Sequence, residues 1–300
     1  MRYSEDTLSG WIAPLTKKEE ERAENTIRMV RSALDDCSEL RTMSIEVFTQ
    51  GSFANNTNVR TESDVDVVVM LKSTFYSVYP DGINGSYFGF GPGSISFDGF
   101  RLLVKTALEN KFGISSVKDG NKSIKISENT YHVKADVVPA LQYRNYRVLN
   151  SFRADSYVEG IKFYAEDGSE IINYPKRHRE NGVRKNKETG RQYKALVRIM
   201  KHVKNEMVDQ KLIDEKKIAS FLIECLVWNL PNSTITSYDT WTETVRQAII
   251  TLYNAIKEGR HKSWSEVSGM FDLFSPKQKW TEQEVELFLL QAWIYLGYAE

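Results

Sequence analysis

Apolar positions along the chain change their period near residue 189. From Thr16 to Asp36 (TKKEEERAENTIRMVRSALDD), Ile27, Val30 and Leu34 recur at helical spacing, which predicts an amphipathic helix. SIEVFTQ (Ser44 to Gln50) alternates as a half-buried strand and runs straight into Gly51-Ser52. A valine-rich run from Asp64 to Leu71 reads as a second strand. After it come a glycine- and aromatic-rich surface loop (DGINGSYFGFGPGS) and a second helix (FDGFRLLVKTALENKFG) with Gly113 as its stop. SIKIS (Ser123 to Ser127) and YHVKADVVPAL (Tyr131 to Leu141) read as strands, and IKFYAEDGSEIINYP as a hairpin turning at Asp167-Gly168. Beyond Thr189 the pattern is helix upon helix: YKALVRIMKHVKNEM, KKIASFLIECLVWNL and WTETVRQAIITLYNAI. The last helix opens with TEQE, a capping box with Thr281 as the cap and Glu284 three residues on. The expected organisation is an α/β lobe over residues 1–188 and a helical lobe over residues 189–300.

Composition narrows the class. Forty basic and forty acidic residues cancel, without the strong basic bias of a general nucleic-acid binder. The two cysteines, Cys37 and Cys225, lie far apart, which argues against a disulfide framework or a cysteine-rich zinc site and fits a reducing cytoplasm. His132, His178, His202 and His261 form no pair at metal-ligand spacing. No apolar run approaches the roughly 18 residues of a membrane span, and MRYSEDTLSG lacks the pattern of a signal peptide. A soluble cytoplasmic protein without membrane contact is expected.

The valine-rich strand carries a contradiction. Side chains alternate along a strand, so Asp64 and Asp66 share a face with Val68 and Met70. Like charges one repeat apart repel, and their unpaired burial would cost several kcal/mol. Divalent cations resolve this, because magnesium takes hard oxygen ligands and bridges carboxylates to phosphates. Asp136, in HVKADVVPA, is a third acid within a valine-rich strand. Gly51-Ser52, directly after a strand, lets the backbone approach an anion closely, with the Ser52 hydroxyl and nearby N–H groups facing phosphate.

Strand, Gly-Ser, short connector, D-V-D in a strand and a later strand aspartate together resemble the polymerase-β-like nucleotidyltransferase superfamily. The implied fold class is α+β: a mixed sheet with helices, a C-terminal helical lobe and a cleft between the two. QGSFANNTNVRTESDVDVVV and ADVVPALQYRNY closely resemble the CD-NTases, bacterial relatives of cyclic GMP–AMP synthase and DncV that make cyclic oligonucleotide signals in anti-phage (CBASS) defence. IINYPKRHRENGVRKNKETGRQYKALVRIMK resembles their E branch. The resemblance covers residues 40 to 230. It implies that Asp64, Asp66 and Asp136 hold two Mg²⁺ ions, for which Mn²⁺ can substitute, and that Gly51 and Ser52 hold the triphosphate. It further implies that Lys201 contacts that triphosphate, that Ser220 binds phosphate and Phe221 stacks on the donor base, and that Asn173 or Asn181 reads a uridine edge.

Plainer readings stand beside these: Phe221 as a core residue, Lys201 on a solvated helix face, Asn181 as a turn residue beside Gly182. Eleven Lys/Arg between Lys176 and Lys204, against Glu180 and Glu188, read either as a mobile charged loop and wet helix or as a positive surface for triphosphates. The expected mixture is Lys201 inward and most of the loop solvated. The reaction implied joins nucleoside triphosphates, ATP and UTP among them, into a cyclic di- or oligonucleotide that a downstream effector senses. A monomer without a zinc thumb or a need for DNA is expected. A linear product, or a non-catalytic nucleotide-binding protein, remains open from the sequence.

Overall fold

The computed structural model describes residues 2–59, 64–276 and 278–298. In chain order the elements open with α1 (Glu5–Gly10), α2 (Lys17–Asp35), α3 (Ser38–Arg41), β1 (Ile45–Gln50), α4 (Gly51–Asn55) and β2 (Val65–Val78). There follow α5 (Phe97–Phe112), β3 (Val117–Asp119), β4 (Ile124–Ile126), β5 (Ala135–Asn145), β6 (Val158–Tyr164) and β7 (Glu170–Asn173). The rest is helical: α6 (Pro175–Glu188), α7 (Gln192–Asp209), α8 (Ser220–Trp228), α9 (Asn232–Thr236), α10 (Trp241–Lys257) and α11 (Glu282–Tyr295).

The chain divides into two compact units. A sheet unit comprises Thr16–Ala54 and Arg60–Lys176; a helical unit comprises Met1–Leu15, Asn55–Val59 and Arg177–Glu300. The change of period near residue 189 lies inside the helical unit, which also takes α6 from Arg177 onward, the N-terminal segment and the five residues after Ala54.

In the sheet unit the strand order is β1-β2-β5-β4-β3, with β6 on β5 and β7 on β6. β2 and β5 are parallel neighbours, whereas β1 joins β2, and β4 joins β5, antiparallel. Val65 and Val67 to Leu71 are all 1% exposed or less, which explains a valine run without polar alternation: β2 is covered on both faces. Helix α2 contributes Ala23, Val30 and Leu34 to this core, and α5 contributes Phe100, Val104 and Leu108. Thr16 and Glu19 close a capping box at the start of α2. Gly113, at φ +86°, ends α5 as expected.

The helical unit packs α7, α8, α10 and α11 around Leu196, Met200, Ile223, Leu226, Leu252 and Phe288. Thr281 and Glu284 form the expected capping box on α11. One expectation is corrected. The basic stretch after Tyr174 is no mobile loop but helix α6, whose buried positions are Asn181, Gly182 and Lys185. Lys201 points inward as expected, and Lys185, Arg198 and Lys204 of the basic run are buried with it.

Candidate active site

The acids meet where β2 and β5 begin. Parallel pairing sets Asp66 beside Asp136, and β1 sets Gln50, the residue before Gly51, beside Asp66. Burial, then the charges of Asp136 and Asp64, push the Asp66 carboxyl up to about 7. The Oδ1 atom of Asp136 is buried without a hydrogen-bond partner among the described residues. Asp64, one residue before β2, pairs with Lys134 at 2.8 Å. Among the described residues no set of three acids, histidines or cysteines is already arranged as a metal cage.

Gly51 fits this neighbourhood for a steric reason. Its φ of +68° suits glycine, and a Cβ there would overlap the carboxylate oxygen Oδ2 of Asp66. The turn that leaves β1 therefore passes against the acid face, and Ser52, half-buried, follows in the first turn of α4. These groups suit a divalent cation bound with phosphate: clustered hard oxygens, one of them orphaned, beside a backbone that approaches closely.

The expected residues of the helical unit divide. Lys201 is not presented to a ligand. Its side chain is 3% exposed, and its ammonium donates to the Thr57 carbonyl and hydroxyl, both at 3.1 Å, and to Glu224 at 3.2 Å. Asn181 is no turn residue and no open base reader. It lies buried in α6, donating to the Val267 carbonyl at 2.8 Å and accepting from Arg184 at 3.0 Å. Ser220 opens α8 half-buried. Phe221 keeps 36% of its surface exposed while Leu222 and Leu226 are buried, with its ring 5.7 Å from that of His178 and 6.1 Å from that of Trp280. It is a partly open aromatic face, not a core residue. In the sheet unit, Asn173 is exposed at the end of β7, opposite Ile161.

Two groups escaped the sequence reading. Glu224 is buried in α8 and receives Lys201, the Thr57 hydroxyl at 2.9 Å and His178 Nε2 at 2.9 Å. Burial opposes its ionisation, but Lys201, His178 and Thr57 outweigh burial and hold the carboxyl well below the usual range. Its signal was a lone acid inside the apolar run FLIECLVW. Lys134 on Asp64 is the other, and only its position two residues before Asp136 hinted at it.

Residues 30–219 match the nucleotidyltransferase domain family, and residues 180–297 match the cGAS/DncV-like nucleotidyltransferase C-terminal helical domain. The chain is 41% identical over 298 residues to the cyclic dipyrimidine nucleotide synthase CdnE of Cecembia lonarensis, covering 99% of each. The Rhodothermus marinus CdnE c-UMP-AMP synthase, solved with Apcpp and Upnpp, superposes with a TM-score of 0.85 at 32% identity, over 99% of this chain and 98% of that one. The Elizabethkingia meningoseptica CdnE cyclic dinucleotide synthase, solved with GTP and Apcpp, gives 0.82 at 34% identity, over 99% and 100%. With the two family models covering residues 30–297 and relatives matched over 99% of its length, the chain belongs to the cGAS/DncV-like nucleotidyltransferases, the CD-NTase family.

Proposed function

We propose that this nucleotidyltransferase joins two nucleoside triphosphates, releasing pyrophosphate at each bond, into a cyclic dinucleotide containing at least one uridine. The product is a signal in anti-phage defence, read by a cyclic-nucleotide-sensing effector. The observation that carries this reading is the Asp66–Asp136 pair standing against Gly51. Full-length likeness to cyclic dinucleotide synthases supports cyclisation, and relatives named for dipyrimidine and UMP–AMP products support uridine.

In the proposed reaction a nucleotide 3′-hydroxyl attacks the α-phosphorus of a bound triphosphate in line with the departing pyrophosphate. Asp64, Asp66 and Asp136 would hold Mg²⁺ or Mn²⁺, which supplies neutralising charge for the phosphates and lowers the pKa of the attacking hydroxyl. Asp136, with its orphaned oxygen, takes the hydroxyl proton. The Ser52 hydroxyl and the N–H groups at the start of α4 grip the triphosphate. Phe221 offers a ring to a base, and Ser220 a hydroxyl to phosphate. Asn173 reads a base edge with one donor and one acceptor. Lys201 acts at one remove, holding Thr57, six residues beyond Gly51 in the chain, through its bond to the Thr57 carbonyl. After the first bond the linear intermediate reverses, and its own triphosphate becomes the donor for ring closure.

The monomer synthesises without duplex DNA. The test is purified protein with the four NTPs and Mg²⁺, followed by phosphatase treatment, chromatography and mass spectrometry. A phosphatase-resistant product with uridine is expected. A phosphatase-sensitive linear oligomer would overturn cyclisation, and a ring lacking uridine would overturn the base assignment.

A further inference from the structure

The row of residues that holds the acids does not end with them. Directly paired residues on neighbouring strands share a face. Gln50 pairs with Asp66, Asp66 with Asp136, Asp136 with Lys125, and Lys125 with Lys118. One row thus crosses five strands in the order amide, acid, acid, base, base, starting at the residue before Gly51.

Lys125 and Lys118 repeat the logic of the aspartates with the sign reversed. Like charges directly opposed across an antiparallel pair destabilise it, yet both lysines are exposed and opposed. A lysine on an edge strand commonly guards against stray pairing. That accounts for Lys118 on β3 but not for Lys125, because β4 is an inner strand between β3 and β5. Asp119 and Glu128 have other partners, Asp119 pairing with Arg101 and Lys105 and Glu128 with Arg22 at 3.7 Å, which leaves Asp136, across the strand from Lys125, as the acid in the row. Lys118 and Lys125, with Lys134, Ile126, Ser127 and Glu128, line a cavity of about 360 Å³. Lys134 links this cavity to the acids through its 2.8 Å bond to Asp64.

We infer that Lys118, Lys125 and Lys134 form a second phosphate subsite, for a polyphosphate chain lying beyond Asp136. The inference rests on the proposed reaction, in which Gly51 and Ser52 take the donor triphosphate at the β1 end of the row. Asp136 serves the attacking hydroxyl, so the nucleotide bearing that hydroxyl lies toward β4. Its 5′-triphosphate then meets three ammonium groups. Pyrophosphate on its way out has the same chemistry.

The test uses the Lys118→Ala/Lys125→Ala double variant, which leaves Lys134 on Asp64. With a 3′-deoxy triphosphate as donor, the acceptor is supplied as triphosphate, monophosphate or nucleoside. If the acceptor's chain occupies the subsite, the variant raises the KM of the triphosphate acceptor about tenfold, toward that of the nucleoside. A tenfold change corresponds to about 1.4 kcal/mol. The donor KM and the rate with nucleoside acceptor stay unchanged. If pyrophosphate is the occupant, acceptor KM holds and the inhibition constant of added pyrophosphate rises instead. Calorimetry with inorganic tripolyphosphate reads the subsite without turnover, and the variant should lose one binding event. Unchanged acceptor KM, pyrophosphate inhibition and tripolyphosphate binding together would overturn the subsite. Wild-type protein that binds tripolyphosphate in this variant-sensitive way but joins no nucleotides would overturn the reaction and leave the anion site standing.

Discussion

Gly51 stands so close to Asp66 that any Cβ at position 51 would overlap the Asp66 carboxylate. The turn that presents Ser52 and the strand that presents the acids are therefore fitted to each other atom by atom. Gly51→Ala must move one of them and also hold alanine at a φ of +68°, which costs about 1–2 kcal/mol. The expected outcome is a modest fall in Tm and a loss of synthesis of about 100-fold, the usual consequence of ångström-scale misplacement. Wild-type turnover by Gly51→Ala would show that the close approach has no bearing on the chemistry.

Asp64→Asn with Asp66→Asn should abolish synthesis without weakening the fold. In EDTA its Tm should equal or exceed that of the wild type, since burial and the two neighbouring acids already disfavour charge on Asp66. Mg²⁺ or Mn²⁺ should raise the wild-type Tm and restore activity after EDTA, with no requirement for zinc or DNA. The variant should show no such metal-dependent rise. A collapse of its Tm in EDTA would instead make the acids structural.

These acids were legible because β-sheet physics writes itself locally. An aspartate in a valine run conflicts with its surroundings at a spacing of two, and Gly51-Ser52 follows its strand directly. Helix α6 was not legible, because its buried positions are Asn181, Gly182 and Lys185. A helix that buries polar groups shows no apolar period, and its partners lie far along the chain: the Leu230 carbonyl for Lys185, at 2.7 Å, and the Val267 carbonyl for Asn181. The partner of Lys201 was hidden for the same reason. The position of Lys201 in a helix was readable, but its burial against Glu224 depends on a helix 23 residues away.

Glu224→Gln should be strongly destabilising near neutral pH, by about 3–5 kcal/mol, because it leaves Lys201 buried without its counter-charge. The sign of the pH dependence follows from the depressed Glu224 carboxyl. The wild type holds this stabilisation above the ordinary carboxyl value of 4.5 and loses it as pH falls further, while the variant has none to lose. The Tm difference between the two proteins should therefore be largest near pH 7 and shrink below pH 4.5. Lys201→Met should lower Tm as well. A Lys201→Met protein of unchanged Tm, altered only in KM for triphosphate, would return Lys201 to direct substrate contact.

Phe221→Ala separates a stacking platform from a packing residue. Truncating a buried phenylalanine costs about 3–5 kcal/mol, but Phe221 is 36% exposed and should cost far less. Base–aromatic stacking is worth about 1–3 kcal/mol, so the KM for triphosphate should rise roughly tenfold or more. A large fall in Tm with unchanged KM would show that the ring only packs.

Base choice turns on two asparagines in opposite situations. Asn181 spends its carboxamide on Val267 and Arg184 within the helical unit, so Asn181→Ser should lower the stability by about 1–3 kcal/mol, for the buried Val267 carbonyl it abandons. It should leave the base ratios of the product unchanged. Asn173 is exposed at the end of β7, held in register by its pairing with Ile161, and its carboxamide can match the donor and acceptor of a uracil edge. A site built to hydrogen-bond one base rejects another strongly, because the mismatch strands its polar groups. Asn173→Ser should accordingly leave the unfolding free energy within about 0.5 kcal/mol of the wild type, as surface changes usually do, while shifting incorporation from UTP toward purines in competition assays with labelled triphosphates. Should Asn173→Ser leave the ratio of UTP to purine incorporation where it was, the uridine reader must lie elsewhere on the chain.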